Sequence, residues 1–229
     1  MNPLNAVGLV FQEREGTSNA FLGSCFAYHQ QTHFLTAAHV VRDRPVEKIV
    51  VLSSREGVFC PLREVHIHPN ADAAVLILKS AGREIVEPFW GCVGNYALGE
   101  EYFAYGFPED YRGPKQGQPI ARLFRGHFQR FMQYKSHMGY NYVAGELSTP
   151  CPGGLSGGPL FRPEAPMMIT GLVTENIEAA TFLDEEEVVL VDGSLVNEHY
   201  RRVINYGVAV MLDTIEDWIN EHVPPHSQL

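Results

Sequence analysis

Apolar residues fall in short runs along this chain, and the runs recur from one end to the other. Ala6-Val7-Gly8-Leu9-Val10-Phe11, Phe34-Leu35-Thr36-Ala37-Ala38, Lys48-Ile49-Val50-Val51-Leu52 and Ala73 to Leu78 mark the first half. Tyr102-Phe103-Ala104-Tyr105-Gly106-Phe107, Met168-Ile169-Thr170-Gly171-Leu172-Val173 and Tyr206-Gly207-Val208-Ala209-Val210-Met211 mark the second. Each run has the length of a strand and is rich in Val, Ile, Phe and Tyr, side chains that fit a pleated, half-buried surface. Gly, Pro, Asn and charged residues separate them. Such spacing predicts a β sandwich or barrels rather than βαβ units. No internal repeat is visible.

One helix is expected near the C-terminus. Asp213-Thr214-Ile215-Glu216 has the form of a capping box, with Asp213 as N-cap and Glu216 reaching back to it. Ile215, Trp218 and Ile219 then share one face at helical spacing, and Val223-Pro224-Pro225 ends the helix. The acidic run Asp184-Glu185-Glu186-Glu187 reads as a solvated loop tip, with a gating insertion beside a substrate pocket as the alternative.

Composition narrows the partners. The 229 residues are 45% hydrophobic, enough for a sizeable core in one large domain or two small ones. There are 17 basic and 27 acidic side chains, a formal charge of −10, and no Lys/Arg cluster. Neither nucleic acid nor an anionic membrane is expected as a partner of such a chain. Met1 to Val7 has no basic region followed by a long apolar stretch, so no signal peptide or membrane span is expected, and a cytoplasmic location is. Cys25, Cys60, Cys92 and Cys151 show no metal-ligand spacing and are expected to be mostly buried free thiols.

Three separated segments carry candidate chemistry. They are Thr36-Ala37-Ala38-His39, Asp72 at the head of the apolar run Ala73 to Leu78, and Gly153-Gly154-Leu155-Ser156-Gly157-Gly158-Pro159-Leu160. A serine hydroxyl is a weak nucleophile and needs a base to take its proton. His39 is the candidate base, and an aspartate must hold its other ring nitrogen. Asp72 fits; Asp43, within the charged segment Arg42-Asp43-Arg44, fits less well. His, then Asp, then Ser is one of three chain orders in which unrelated folds assemble this trio. The glycines before Ser156 permit backbone torsions that turn N–H groups toward a developing oxyanion.

Other readings of these residues are weaker. Gly154 to Gly158 also satisfies GxSxG, the nucleophile elbow of α/β-hydrolases. That elbow needs a helix after the serine and a later His, whereas Gly158-Pro159 discourages a helix and no βα alternation surrounds His199, His222 or His226. His66-Ile67-His68 places two imidazoles on one side of a strand without an obvious third ligand, so a structural or surface role is expected and no metal. Cys151 lacks the glycine context of the nucleophile and is expected in a pocket wall.

The residues around His39, Asp72 and Ser156 resemble the chymotrypsin-like (trypsin-like) peptidase superfamily, nearest its disulfide-free bacterial members, from about Val7 to Ile219. The resemblance implies an all-β fold of two six-stranded antiparallel β barrels with a C-terminal α-helix. Residues 1–95 would carry His39 and Asp72, residues 96–211 would carry Ser156, and 212–229 would form the helix and tail. It implies a catalytic trio of His39, Asp72 and Ser156, and an oxyanion hole from the N–H groups of Gly154 and Ser156. The substrate pocket would be lined by Pro150, Cys151, Gly153, Thr174, Glu175, Asn176 and Gly207, with Thr174 to Asn176 pairing with the substrate backbone. No acid stands at Pro150 or Cys151, so an apolar or small residue is expected before the scissile bond. Gly207 would leave room, Asn176 would partly close the entrance, and Glu175 is the alternative acceptor for a basic side chain.

Departures from the family carry expectations of their own. Leu155 stands where many secreted relatives have an Asp that binds a newly cut N-terminus. Activation by that route is not expected, and control by loop ordering or an activating protein is. Cys25 stands where relatives often have Gly and is read as a packed thiol, and Val40 replaces a disulfide-forming Cys. The implied function is a serine endopeptidase acting through an acyl-enzyme on protein or peptide substrates, without a cofactor, in one form a regulated intracellular effector. A catalytically inactive relative used as a binding module is the alternative.

Overall fold

A computed structural model of the chain describes residues 3–53, 57–80, 87–109, 120–189 and 195–224. Six strands form the first half: β1 (Val7–Gln12), β2 (Ala20–Tyr28), β3 (Gln30–Thr36), β4 (Ile49–Ser53), β5 (Phe59–Ile67) and β6 (Ala74–Leu78). They close into a barrel in the order β1-β2-β3-β6-β5-β4, every pair antiparallel. All five residues of β6 are buried, as expected for an unbroken apolar run that crosses a barrel core. The short helix α1 (Ala38–Val41) follows β3 and leaves His39 at the barrel rim.

The second half holds β7 (Gly91–Cys92), β8 (Glu101–Gly106), β9 (Arg122–Lys135), β10 (Asn141–Leu147), β11 (Pro159–Arg162), β12 (Ala165–Val189) and β13 (Leu195–Met211). Strand order is β11-β8-β9-β10-β13-β12-β7, and a further β11–β12 pairing closes six of these strands into a ring. Alternation is plain in β8, where Tyr102, Ala104 and Gly106 point inward and their neighbours do not. The expected fold class therefore holds, with one addition: β7 joins β12 as a parallel strand through Met168 and Ile169. Phe89 is fully buried between the halves, its ring meeting Phe26 of the first at 5.6 Å and Phe161 of the second at 6.0 Å.

Two local expectations are corrected. The acidic run Asp184 to Glu187 is not a loop tip: its backbone lies in β12, paired with residues 197–200 of β13 in a long two-stranded ribbon. The capping box does not form. Leu212–Ile215 is a 3-10 turn ahead of α2 (Glu216–His222), and Asp213 accepts a hydrogen bond from Tyr96 Oη (2.6 Å) instead. Tyr96 is 117 residues away, so local propensity lost to a tertiary bond. The apolar face of the helix is as expected, with Ile215 and Ile219 buried.

All four cysteines are free thiols, and Cys25, Cys60 and Cys151 are buried. Burial pushes the Cys25 thiol far above the usual range, which fits a packed core residue. No helix among the described residues is long and apolar enough to cross a membrane.

Candidate active site

His39 and Asp72 meet at the rim of the first barrel. His39 Nδ1 lies 2.7 Å from Asp72 Oδ2, and the His39 backbone N–H donates to Asp72 Oδ1 at 2.9 Å. Both carboxylate oxygens are thus engaged by one residue. Asp72 is 2% exposed and His39 28%, so the acid is sealed while the ring keeps an open edge. A buried carboxylate needs such partners, and here they fix the imidazole so that Nδ1 carries the shared proton and Nε2 faces outward. Asp43 sits instead on the exposed side, beside Arg42 at 3.7 Å.

Ser156 arrives on the loop between β10 and β11, and the carbonyls of residues 153 to 156 are each held. Glu109 N–H donates to Gly153 O (2.7 Å), Ser24 Oγ to Gly154 O (2.8 Å), Gly158 N–H to Leu155 O (2.9 Å) and Ser24 N–H to Ser156 O (2.9 Å). In a planar trans peptide the C=O and N–H point opposite ways. Anchoring the Gly153 and Leu155 carbonyls therefore turns the Gly154 and Ser156 N–H groups the other way, and neither has an acceptor among the described residues. Gly157 has φ +87°, and a Cβ there would collide with the Ser24 carbonyl and the Thr36 hydroxyl, so only glycine lets the loop sit this close to β2 and β3. Leu155 is fully buried. The position of the zymogen Asp is an apolar anchor here.

Ser24 was not marked by any sequence signal, yet it is the hub of this loop. It is fully buried, and besides the two bonds above its Oγ accepts from Phe107 N–H (2.9 Å) and its carbonyl from Thr36 Oγ1 (2.8 Å). A hydroxyl that both donates and accepts suits this place, where one donor and one acceptor converge.

The three candidate residues open onto one cleft of about 390 Å³, lined by His39, Asp72, His137, Met138, Cys151, Gly153, Ser156, Thr174, Glu175 and Asn176. Ser156 Oγ donates to Thr174 O at 2.6 Å and not to His39. Asn176 stands opposite Gly207, whose N–H turns away to Thr149 O (3.0 Å), so by strand alternation the Asn176 backbone groups face the cleft side. Its side-chain amide clasps Cys151 twice, accepting from Cys151 N–H (2.6 Å) and donating to Cys151 O (2.7 Å). Pro150 is exposed and Gly207 buried, and neither lines the cleft. The Cys151 thiol, which burial pushes up to about 12, fills the space over Gly207.

His137 and Met138 also line the cleft, from the β9–β10 turn, and nothing in the local sequence pattern announced them. His137 Nδ1 pairs with Glu175 Oε2 at 2.5 Å, which engages one oxygen of the carboxylate considered for a basic substrate side chain and leaves Oε1 buried without a hydrogen-bond partner among the described residues. Of the His66–His68 pair, His66 lies tilted against His222 (4.4 Å) and His68 meets Trp218 edge-on (4.9 Å), both of α2. No cluster of three metal-ligating side chains occurs among the described residues.

The Rv3671c protease of M. tuberculosis in its active form superposes with a TM-score of 0.64 at 13% identity, over 99% of this chain and 84% of that one. The HtrA-type protease AlgW with a decapeptide gives 0.64 at 15% identity, over 96% and 66%. The MamO protease domain of Magnetospirillum magneticum gives 0.60 at 17% identity, over 95% and 97%. At these identities the likeness is one of fold. No curated protein matches the chain in sequence. The model of the trypsin-like peptidase domain matches residues 23–166, more than half of the length, and the chain belongs to that family.

Proposed function

We propose that the chain is a serine endopeptidase that works through an acyl-enzyme. One observation carries this reading: a sealed Asp72 holds His39 by Nδ1 in the cleft that receives Ser156, on a loop whose Gly153 and Leu155 carbonyls are anchored away from it. Ser156 Oγ leaves Thr174 O, gives its proton to His39 Nε2 and bonds to the substrate carbonyl carbon. The N–H groups of Gly154 and Ser156 hold the resulting oxyanion. The C–N bond breaks, the amine leaves with the proton from His39, and water then releases the acyl group by the same steps in mirror order. The decapeptide bound to the HtrA-type relative supports peptide substrates. The Thr174 carbonyl and Asn176 backbone groups on the cleft side are placed to pair with an extended peptide.

The clasp between Asn176 and Cys151 joins the two walls between which a side chain before the scissile bond would lie, and the thiol plugs the base. A small residue such as Gly, Ala or Ser fits there. Asn176→Gly is expected to improve relative kcat/KM for peptides with Leu or Phe at that position by at least about tenfold. Unchanged selectivity in a peptide-library assay contradicts this.

The bond from Ser156 to Thr174 favours one second reading, a member of the fold that binds peptides without cutting them. Labelling by a fluorophosphonate probe decides. Loss of wild-type labelling in both Ser156→Ala and His39→Ala supports the peptidase; a folded wild type that does not label supports the binding module.

A further inference from the structure

The loop that presents Asp72 runs from His68 to Ala73, and its internal bonds converge on one imidazole. His68 Nδ1 accepts from the backbone N–H of Ala71 at 2.7 Å and of Asn70 at 3.1 Å. The His68 N–H closes the loop on Ala73 O (2.9 Å), and Asn70 O accepts from Asn141 N–H of the second half (2.7 Å). On its other side the His68 ring meets Trp218 edge-on at 4.9 Å, placing the C-terminal helix behind it. A ring nitrogen that accepts from residues two and three ahead does here what an Asn or Asp side chain does in an Asx turn.

We propose that His68 is a positioning residue for the acid: its Nδ1 holds the turn that aims Asp72 at His39, with Trp218 holding the ring. Two backbone donors need an unprotonated Nδ1, so the device works only with His68 neutral. Burial lowers the His68 pKa, in keeping with that state. The charged and titratable groups on the packed elements are Asp72 on the loop, Arg63, Glu64 and His66 on β5, and Glu216, Asp217, Glu221 and His222 on α2. The assignment rests on the peptidase reading only for its kinetic consequence.

The test compares His68→Ala with His68→Asn, whose side-chain oxygen restores the acceptor. His68→Ala is expected to slow fluorophosphonate labelling of the folded protein by about ten- to a hundredfold, the cost of a misaimed group, while His68→Asn stays near the wild-type rate. The downfield proton signal of His39 Nδ1–H gives a readout independent of catalysis. It should broaden or vanish in the alanine variant and persist in the asparagine variant. In the wild type it should follow a second titration on the acid side that His68→Asn lacks, which decides the matter even if His68→Ala fails to fold. Equal labelling and an equal His39 signal in His68→Ala overturn the proposal, as does an asparagine variant as impaired as the alanine one, or a wild-type signal without the second titration. A wild type that never labels but shows the expected His39 signals defeats the peptidase reading and leaves the positioning role standing.

Discussion

The two halves hand their groups to the cleft in different states of readiness. The first barrel delivers His39 and Asp72 already bonded to each other, by side chain and by backbone. The second half delivers Ser156 bonded to a carbonyl of its own, Thr174 O. Within the trio each side chain is bonded inside its own half, and the bond the proposed chemistry needs, from Ser156 to His39, is not made. Buried polar groups pair wherever a partner is available, so each part of the trio settles within its own half.

The comparison predicts unequal costs. Breaking the settled pair of the first half should cost most: Asp72→Asn is expected to slow labelling by about 10⁴-fold through the wrong imidazole tautomer, with the fold kept. A labelling time course beside a circular dichroism spectrum checks it. Next comes the strut between the halves. Ser24→Ala removes the donor to Gly154 O and the acceptor for Phe107 N–H. It should destabilise the chain by about 1–3 kcal/mol and slow labelling as well, read by chemical denaturation and by the probe. The smallest effect is on pH. Burial lowers the pKa of both His33 and His68. Below about 6.5, the unperturbed value, the unfolded chain takes up protons that the folded chain refuses. Stability from these groups is therefore full above that pH and declines as pH falls through the lowered folded values. Tm measured from pH 8 downward should show the decline, and a double variant His33→Gln, His68→Asn should flatten it.

Much of this was legible in the sequence because it is local. Strand runs, the His39 and Ser156 segments and the acid at the head of β6 each declare themselves within a few residues. What was missed is bonded at long range. Ser24 reaches Gly154 across 130 residues, and Tyr96 draws Asp213 out of its capping role. Only the folded chain shows that Asn176 spends its amide on Cys151, or that the thiol takes the space Gly207 leaves. The sequence around His68 points only to a structural or surface role. Its ring nitrogen turns out to organise the loop of the acid, a use that spacing does not reveal.

Ser24 has a consequence for how the protein comes into being. The first barrel is synthesised before the Ser156 loop, and the loop takes its shape against a side chain that the barrel supplies. A nascent or partly unfolded chain therefore holds the pieces of the cleft without their alignment. The alignment of His39, Asp72 and Ser156 in one cleft is therefore a product of the docking of the halves and of neither half alone.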